Sequence, residues 1–393
     1  MANTLLNVDR ITNAALMILH QKLNFIGSVN RAYDSSFAVD GAKIGSTLRI
    51  RLPNQYVVRT GSAMVTQDVT EQNTTLTVAN QRGVDVNFTT TELTMNIFDF
   101  TQQVLEPAVA VLAANIEADA LSMATDVYNQ VNGMGSAQTF KNVMQARKQL
   151  VDNLAPADDN RMIRLNTQDN VDLVDSLKGL FQDANNIKRQ YTEGIMGRTG
   201  GFEFAENTFL STYTRGAENT AYIVNGAGQT GASLVVSTGA GAGIKGDVFT
   251  VAGVFRVHPE TKVSTGVLQQ FVLTAAYAGG AGTMSISPSI VTSGALQNVS
   301  ASPANSAVIT FAGTASTASG LSLAYHRDAF TFATADLIMP EGVHFAARRM
   351  VEGISMRIVR QYDINNDRIP ARIDVLYGYK TIRPQLACRM AAN

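Results

Sequence analysis

A stretch of 110 residues in the middle of this chain, residues 216–325, carries almost no charge. Only six of the 63 Asp, Glu, Lys and Arg residues fall there, whereas 16 of the 31 glycines do. Short β-type runs at 248–251 and 270–273 predict an all-β module. Because charged, partly helical sequence lies on both sides, the pattern predicts a domain inserted in a loop of a discontinuous host domain.

Length and charge narrow the classes further. With 393 residues and 45% hydrophobic content, the chain can fill more than one core. Its formal net charge of −1 provides no global basic field for nucleic acid, so a polyanion would have to bind local pairs such as Lys188-Arg189 or Arg348-Arg349. Cys388 is the only cysteine, which excludes an intrachain disulfide and favours a reducing cytoplasm.

The N-terminal segment has the spacing of an amphipathic helix. Between Asp9 and Phe25, apolar residues such as Ile11, Ala15 and Ile18 recur at helical intervals, and Asp9 suits the N-cap. The apolar run at 14–19 is short and lacks a clean cleavage site, so we predict no signal peptide. No run approaches the roughly 18 apolar residues that a membrane helix needs.

Residues 46–88 have the pattern of a long antiparallel hairpin. Leu48, Ile50 and Leu52 alternate with arginines, and alternation returns at 76–78 and at 84–88 after a polar stretch. A two-stranded ribbon is marginal in water, so we expect it to lie against its own domain or a neighbouring subunit.

The strongest helical signal runs over residues 105–131, with Pro107 suited to the first turn. Such a helix would be roughly 40 Å long, and we expect Gly133 and Gly135 to end it. Two further helices are predicted at 140–153 and 168–180, ahead of a glycine-rich loop. One stripe of the long helix contains Leu105, Val109, Leu112, Ile116, Ala120, Met123 and Val127.

After the charge-poor stretch, the host sequence resumes at 329–332 and 337–340. Residues 354–359 alternate as a strand, 363–367 form a turn, and 371–379 return as a second strand. The pattern predicts a β-hairpin that closes the fold.

This closing sequence resembles that of a known family. The runs at 362–367 (YDINND), 370–378 (PARIDVLYG) and 383–384 (RP) resemble the C-terminal signature of the major capsid (coat) proteins of short-tailed double-stranded DNA phages. The run at 245–254 is similar to a strand of that family's insertion barrel. The order of predicted elements resembles the family plan along nearly the whole chain.

The resemblance implies an α+β capsid fold of the Hong Kong 97 type. Its parts would be an N-terminal arm at 1–38, an extended hairpin loop with peripheral-domain strands at 39–95, a spine helix at 96–140, the first part of the axial and peripheral domains at 141–215, an inserted β-barrel domain at 216–326, and the second part of those domains at 327–393.

The resemblance also implies a function. Many copies would form hexamers and pentamers that close into an icosahedral virion shell around double-stranded DNA, assembled in the host cytoplasm. The implied partners are a scaffolding protein, a portal protein at one vertex, the packaged DNA and decoration proteins, without a membrane. The ribbon would lap onto an adjacent subunit, and the spine helix would tilt when the procapsid expands.

Two motifs with possible chemistry have the wrong context. Residues 241–246 match G-x-G-x-x-G, but the pattern predicts a following strand, whereas the dinucleotide fingerprint needs a helix N-terminus. Asp363, Asn365, Asp367 and Asp374 occupy calcium-loop positions, but Arg368 stands where that loop requires glycine. We interpret the first as a loop and the second as a polar hairpin turn.

The remaining candidates predict no site. The histidines show no metal-ligand spacing, and Cys388 has no evident base beside it. We therefore predict no catalytic, cofactor-binding or metal-binding residues, no cofactor and no enzymatic activity. The four histidines are His20, His258, His326 and His344.

Three rival functions stay open at this stage. A capsid-fold cargo shell such as an encapsulin is disfavoured because those chains are generally shorter and lack the large insertion. An adhesin or carbohydrate-binding β-protein would explain the middle rich in Gly, Ser and Thr, but not the long helix. An enzyme would need a pair of acidic or histidine residues lining a cavity.

Overall fold

The computed structural model describes residues 23–31, 46–68, 71–89, 106–177, 197–210, 212–351, 354–366 and 368–393. Within them the chain forms both helices and strands, which confirms the predicted α+β class. The predicted N-terminal arm at 1–38 and its helix lie mostly outside the described residues. The helices are α1 (Glu106–Leu121), α2 (Phe140–Asp152) and α3 (Thr167–Leu177).

The strands are β1 (Ser46–Arg51), β2 (Asn73–Val78), β3 (Asn80–Thr89), β4 (Gln130–Gly133), β5 (Arg161–Leu165), β6 (Arg198–Thr199), β7 (Phe202–Glu206), β8 (Tyr213–Thr214), β9 (Ile223–Val224), β10 (Gly231–Ser237), β11 (Val248–Val257), β12 (Ser264–Leu273), β13 (Gly282–Ile290), β14 (Ile309–Phe311), β15 (Ala318–His326), β16 (Phe330–Ala335), β17 (Phe345–Val351), β18 (Ile354–Arg360), β19 (Arg368–Thr381) and β20 (Ala387–Ala392).

The described residues divide into two compact units. The first falls within Met1–Ile50, Asn73–Leu121 and Phe330–Ile382. The second falls within Arg51–Gln72, Ser122–Ala329 and Arg383–Asn393. Each unit is therefore built from three separate stretches of the chain.

The first unit is organised by one long strand. β19 pairs with β16, β18 and β3, and β17 completes the five-stranded sheet beside β18. Every residue of β16 is buried, and Phe332 of β16 stacks on Tyr377 of β19 with ring centroids 5.6 Å apart. Alternating β-branched and aromatic residues suit a sheet with a buried face.

Helix α1 packs against β3 and buries one apolar stripe. Val109, Leu112 and Ile116 are almost completely buried, as is Glu117, which accepts hydrogen bonds from the backbone N–H groups of Phe25 and Ile26. Residues Pro107–Asp126 are long and apolar enough, by length and composition only, to cross a membrane, but half of this window is buried inside the protein. Its buried stripe and its polar contacts are those of a core helix.

The long helix predicted at 105–131 is shorter in the structure. The α-helix ends at Leu121, a 3-10 helix follows at Ser122–Asp126, and Val131 lies in β4, beside Met390 of β20. The apolar stripe continues through all three elements, because each buries apolar side chains. The prediction of one helix ending at Gly133 was therefore wrong: strand pairing with a distant part of the chain overrides the local period.

The predicted hairpin at 46–88 is also different. β1 pairs with β2, but β3 leaves this pair and pairs with β19 over ten residues, from Asn80 opposite Tyr377 to Thr89 opposite Arg368. The alternation at Val84 and Val86 correctly predicted a strand. The hairpin prediction gave this strand the wrong partner, because a period of two does not specify which strand pairs with it.

The predicted C-terminal hairpin is confirmed. β18 and β19 pair antiparallel, with Arg357 opposite Asp374 and Arg360 opposite Ala371. It does not close the fold, however, because β20 follows at Ala387–Ala392.

A seven-stranded sheet organises the second unit. Its order is β4-β20-β15-β5-β7-β6, and β8 also pairs with β15. Helix α2 packs on β4, β15 and β20, and α3 packs on α2 and β15. Strands that precede and follow the charge-poor stretch therefore meet in one sheet.

The charge-poor stretch forms a six-stranded sheet in the order β14-β11-β12-β13-β10-β9. The two ends of this order also meet, because the backbone of Ile309 donates to Tyr222 (3.0 Å) and that of Val224 donates to Ala307 (2.9 Å). One core lies inside. Its buried members are Tyr222, Val224, Leu234, Val236, Phe249, Val251, Val254, Phe271, Leu273, Met284, Ile286, Ile290, Val299, Ile309 and Phe311.

The chain leaves and rejoins the seven-stranded sheet at neighbouring positions. Thr214 of β8 pairs with Ala318 of β15, and the backbone N–H of Arg215 donates to the carbonyl of Thr317 (3.1 Å). We call these paired residues the junction. Residues 318–326 of the predicted β domain at 216–326 form β15, which belongs to the seven-stranded sheet.

Candidate functional site

We call residues 52–72 the ribbon tip, and the described part of it, 52–68 and 71–72, is held mainly by hydrogen bonds of its own side chains. At the base, the backbone N–H of Leu52 donates to the carbonyl of Gln72 (2.8 Å). Further out, the carboxamide of Gln67 accepts from the N–H of Val57 (3.0 Å) and donates to its carbonyl (2.8 Å). Arg59 donates to the carbonyl of Ala63 (3.0 Å) and thereby closes the turn.

The ribbon tip exposes large apolar side chains. Val58 is 89% exposed and Met64 is 81% exposed, and Tyr56, Val57 and Val65 are also exposed. Single exposed apolar residues are normal, but several on one short segment indicate a surface that another molecule covers. The ribbon tip is therefore a candidate contact site.

A second candidate is the cluster of buried charged and polar groups at the junction. Asp247 accepts hydrogen bonds from the Tyr213 hydroxyl (2.7 Å), from the backbone N–H of Ile244 (2.7 Å) and from that of Gly216 (3.1 Å). Arg389, on β20, is fully buried and donates to the carbonyl of Gly246 (2.7 Å). These bonds hold the start of the six-stranded sheet against the seven-stranded sheet.

Burial shifts the titration of this cluster. Desolvation, followed by the neighbouring Asp247, raises the pKa of Glu218 to about 8. Desolvation and the bond to Asp247 also raise the pKa of the Tyr213 hydroxyl, and desolvation lowers the pKa of Arg389. A raised carboxyl pKa in a protein can mark catalysis, but here Glu218 is enclosed, and its neighbours Asp247 and Arg389 are hydrogen-bonded to structural backbone.

Two further ion pairs connect the charge-poor segment to the rest of the second unit. Arg256 on β11 pairs with Asp152 at the end of α2 (2.7 Å), and Lys245 pairs with Asp126 (2.7 Å). Glu218, Asp247 and Lys262 also contact residues outside this stretch, so five of the six charges in residues 216–325 do so. Sequence reasoning did not identify these residues, although the scarcity of charge there was a signal that the remaining charges have specific partners.

The G-x-G-x-x-G motif at 241–246 has no nucleotide-site geometry. Residues 243 and 277 form an isolated antiparallel bridge, and β11 begins at Val248. No helix starts after the motif, so the prediction of a loop that leads into a strand is confirmed.

The residues at calcium-loop positions do not converge on a cation. Asp363 accepts hydrogen bonds from the backbone N–H of Asn365 (3.0 Å) and from the side chain of Asn366 (2.7 Å), as in a polar turn. Asp374 lies on β19 and pairs with Arg357 (2.7 Å), while Asp367 lies outside the described residues. In the part of the chain that the structure describes, no group of three or more His, Cys, Asp and Glu residues could hold a metal ion.

His258, His326 and the cysteine have structural surroundings. His326 contacts Asp158 (3.1 Å), and His258 accepts hydrogen bonds from the backbone N–H of Glu260 (3.2 Å); His20 lies outside the described residues. Cys388 is buried, and desolvation raises the pKa of its thiol to about 12. Such a thiol is a poor nucleophile.

The basic pairs singled out in the sequence do not form a described polyanion site. Lys188-Arg189 lies outside the described residues. Arg348 pairs with Asp336 (3.4 Å) and donates to the carbonyl of Leu337 (3.4 Å), so its charge is used within the first unit.

Comparison with known sequences gives one family. The sequence model of a family described as P22 coat protein, gene protein 5, matches residues 41–390 of the chain. The match covers both units, the ribbon tip and the junction. A comparison with curated proteins gives no match.

Three solved structures illustrate the structural likeness. A chain from Mycobacterium phage Che8 has a TM-score of 0.46 at 10% identity, covering 92% of this chain and 88% of that one. The head of Helicobacter pylori bacteriophage KHP40 gives a TM-score of 0.44 at 9% identity, covering 91% and 86%. The capsid of cyanophage P-SCSP1u gives 0.43 at 11% identity, covering 91% and 85%. These likenesses are weak beside the family match.

Proposed function

Because the chain belongs to the P22 coat protein family, and is thus a structural, non-enzymatic protein of a phage capsid shell, we propose that its copies form hexamers and pentamers. These close into an icosahedral virion head around double-stranded DNA. The function of such a protein is to assemble, so the residues that determine it are those at the contacts between subunits. Association would be spread over surfaces that total well above roughly 2,000 Å² per subunit, as in obligate assemblies.

The observation that carries this proposal is the exposed ribbon tip. Its exposed apolar side chains are not part of a hydrophobic core within one chain. Hydrogen bonds of Gln67 and Arg59 fix the conformation of its backbone. We propose that the ribbon tip laps onto an adjacent subunit, which would remove those side chains from water. Each fully covered valine would contribute about 1.5–3 kcal/mol before the cost of ordering.

Deletion of residues 60–72 tests this role. We expect the variant to fold as a monomer with its five-, six- and seven-stranded sheets intact, because the described residues of this stretch lie outside them, and to form few or no closed shells. Sedimentation and electron microscopy measure the outcome. Normal shells from the deletion variant would show that the ribbon tip is dispensable.

A matched pair of single substitutions distinguishes a specific role of the ribbon tip in assembly from a general effect of removing an exposed valine. Val58→Ser changes an exposed valine in the ribbon tip, whereas Val171→Ser changes an exposed valine on α3. We expect the first to lower the yield of shells and the second to leave it unchanged. Equal effects of the two would remove the ribbon tip from the proposal.

We also propose that residues 215–317 form an inserted β-barrel domain that folds autonomously and stabilises the axial domain. Three observations support this: the six-stranded sheet has hydrogen bonds between its two end strands, its core contains only residues 222–311, and the chain leaves and returns at paired residues. A closed sheet leaves no edge that another strand could extend.

A fragment of residues 213–319 tests autonomy, because it retains the junction pairing of β8 with the start of β15. We expect a cooperative thermal transition, and we expect Phe249→Ala to lower its midpoint. The absence of a cooperative transition in the unsubstituted fragment would refute autonomous folding.

The finer plan extends from the same family membership. We propose a Hong Kong 97-type arrangement in which 1–38 form an arm, 39–95 the extended loop with peripheral strands, and α1 the core of the spine region at 96–140. The flanking parts at 141–215 and 318–393 would form the axial and peripheral domains. The proposed partners are a scaffolding protein, a portal protein, DNA on the inner face and decoration proteins, with assembly in the host cytoplasm before procapsid expansion.

A further inference from the structure

Glu218 is enclosed at the junction, with 1% of its surface exposed. A Cβ built on Gly216 would lie 2.7 Å from one Glu218 carboxyl oxygen and 2.6 Å from an Asp247 carboxyl oxygen. The carboxyl groups of Glu218 and Asp247 therefore both pack against Gly216. The other Glu218 oxygen lies beside Gly243 and the apolar side chain of Leu273. The titratable and charged groups that interact with Glu218 are Tyr213, Arg215, Tyr222 and Asp247, and Arg389 interacts in turn with Tyr213 and Asp247.

The two carboxyl groups differ in their hydrogen bonds. Asp247 accepts hydrogen bonds from one hydroxyl and two backbone N–H groups. Neither oxygen of Glu218 accepts a hydrogen bond from another side chain, and the only hydrogen bond that favours its ionised form comes from the backbone of Glu218 itself. The nearest guanidinium contact is Arg215 Nε, 3.9 Å from Glu218 Oε2, which is too long for a hydrogen bond.

An ionised Glu218 would therefore be a buried anion with no side-chain hydrogen-bond donor, next to the Asp247 carboxyl group, which is costly. A protonated Glu218 removes that charge and supplies an O–H that can donate to the Asp247 carboxylate. The arrangement is that of two carboxyl groups that hold one proton between them.

We propose that Glu218 and Asp247 share one proton at neutral pH, and that this proton makes the attachment of residues 215–317 to the seven-stranded sheet dependent on pH. When the proton leaves, two negative charges face each other at Gly216. The backbone of the junction, including the Arg215–Thr317 hydrogen bond, then opens more often.

The direction of the pH effect follows from the raised pKa of Glu218. The ordinary pKa of Glu218 is 4.5, and in the folded chain burial and Asp247 raise it to about 8. Since the folded-state pKa is raised, the stability contributed by the proton is fully present below about pH 4.5. It is lost progressively as pH rises to about 8 and does not change further above that.

Hydrogen exchange of the full chain measures this opening. After correction for the intrinsic pH dependence of exchange, we expect peptides over 213–219 and 241–248 to lose protection between about pH 6 and about pH 9. The loss is at most roughly a hundredfold, because one proton is released over about two pH units. Peptides from β19 in the first unit serve as an internal reference.

Glu218→Gln keeps a hydrogen-bond donor beside Asp247 but cannot ionise. We expect the peptides over 213–219 and 241–248 of this variant to show the same protection at about pH 6 and at about pH 9. The matched control is Asp169→Asn, because desolvation raises the pKa of Asp169 too, but this carboxyl lies on α3 beside Ser322. The control should keep the wild-type pH dependence at the junction. If Glu218→Gln also keeps it, the proposal is wrong.

A measurement on the unsubstituted protein remains decisive if the variant fails to fold. Infrared spectra of protein with ¹³C-labelled glutamate report whether a glutamic acid is protonated. We expect a protonated-carboxyl band at about pH 6 that disappears at about pH 9. Glu117 is the other buried glutamate among the described residues, and it accepts two backbone hydrogen bonds. Absence of the band at about pH 6 would overturn the proposal.

Discussion

Replacing Phe249 by alanine should destabilise the six-stranded sheet selectively. Phe249 is fully buried on β11, stacks on Phe271 at a centroid distance of 5.8 Å, and lies 5.3 Å from Phe311. Truncation of a buried phenylalanine costs about 3–5 kcal/mol through lost transfer energy and the cavity left behind. We expect the upper half of this range, because two aromatic contacts are lost together and each pair contributes about 0.5–1.5 kcal/mol.

Amide hydrogen exchange in the full chain measures the loss region by region. A loss of about 4 kcal/mol corresponds to a roughly thousandfold drop in protection for amides that exchange through opening of the six-stranded sheet. We expect this drop in β11, β12 and β13, and a far smaller change in β18 and β19 of the first unit.

Val235→Ala provides the control. Val235 lies on β10 of the same sheet but is 38% exposed, so we expect a loss below about 1 kcal/mol. The reasoning is refuted if Phe249→Ala costs no more than Val235→Ala, or if it lowers protection equally in both units.

Three smaller predictions follow from single contacts. Gly83→Ala should cost roughly 1–3 kcal/mol in denaturant unfolding, because its Cβ would lie 2.3 Å from an Asp374 carboxyl oxygen, whereas Gly27→Ala, with no atom within 4 Å, should cost less. Thr139→Ala should cost about 0.5–2 kcal/mol, because this residue caps α2, and unchanged stability would show that the cap is weak. Cys388 should resist a thiol reagent at about pH 8 in the native protein and react once the chain is unfolded, since its thiol is buried with a raised pKa; rapid native labelling would contradict this burial.

Local signals predicted much of the fold. Helix α2 was predicted at 140–153 from its apolar period, and it forms at Phe140–Asp152 with Thr139 as its N-cap. The β18–β19 hairpin was predicted from two alternating runs and the polar turn between them. In both cases the deciding information lies within a few residues, which is the range over which propensity and period act.

Pairing between distant segments could not be predicted in this way. Val131 continues the apolar stripe of α1, but it lies in β4 because β20 provides a parallel partner for it. β3 likewise has a strand period, but the choice of β19 over β1 depends on a segment almost 300 residues later. A local pattern can specify which face is buried without specifying what covers it.

The junction shows the same limit for the candidate sites. Nothing in the spacing of Glu218 and Asp247 reveals that both carboxyl groups meet at Gly216. Only the scarcity of charge around them indicated that each remaining charge has a specific contact. The ribbon tip was predicted as a polar extension, but its exposed Val58 and Met64 became meaningful once the structure showed that no core covers them.

Self-assembly is the central claim, and electron microscopy of the purified protein tests it most directly. The protein would be expressed with and without the proposed scaffolding protein and imaged by negative stain. We expect closed shells with the partner, and shells or aberrant spirals without it. A dispersed monomer under both conditions would contradict the proposal that this chain builds the shell by contacts between its own copies.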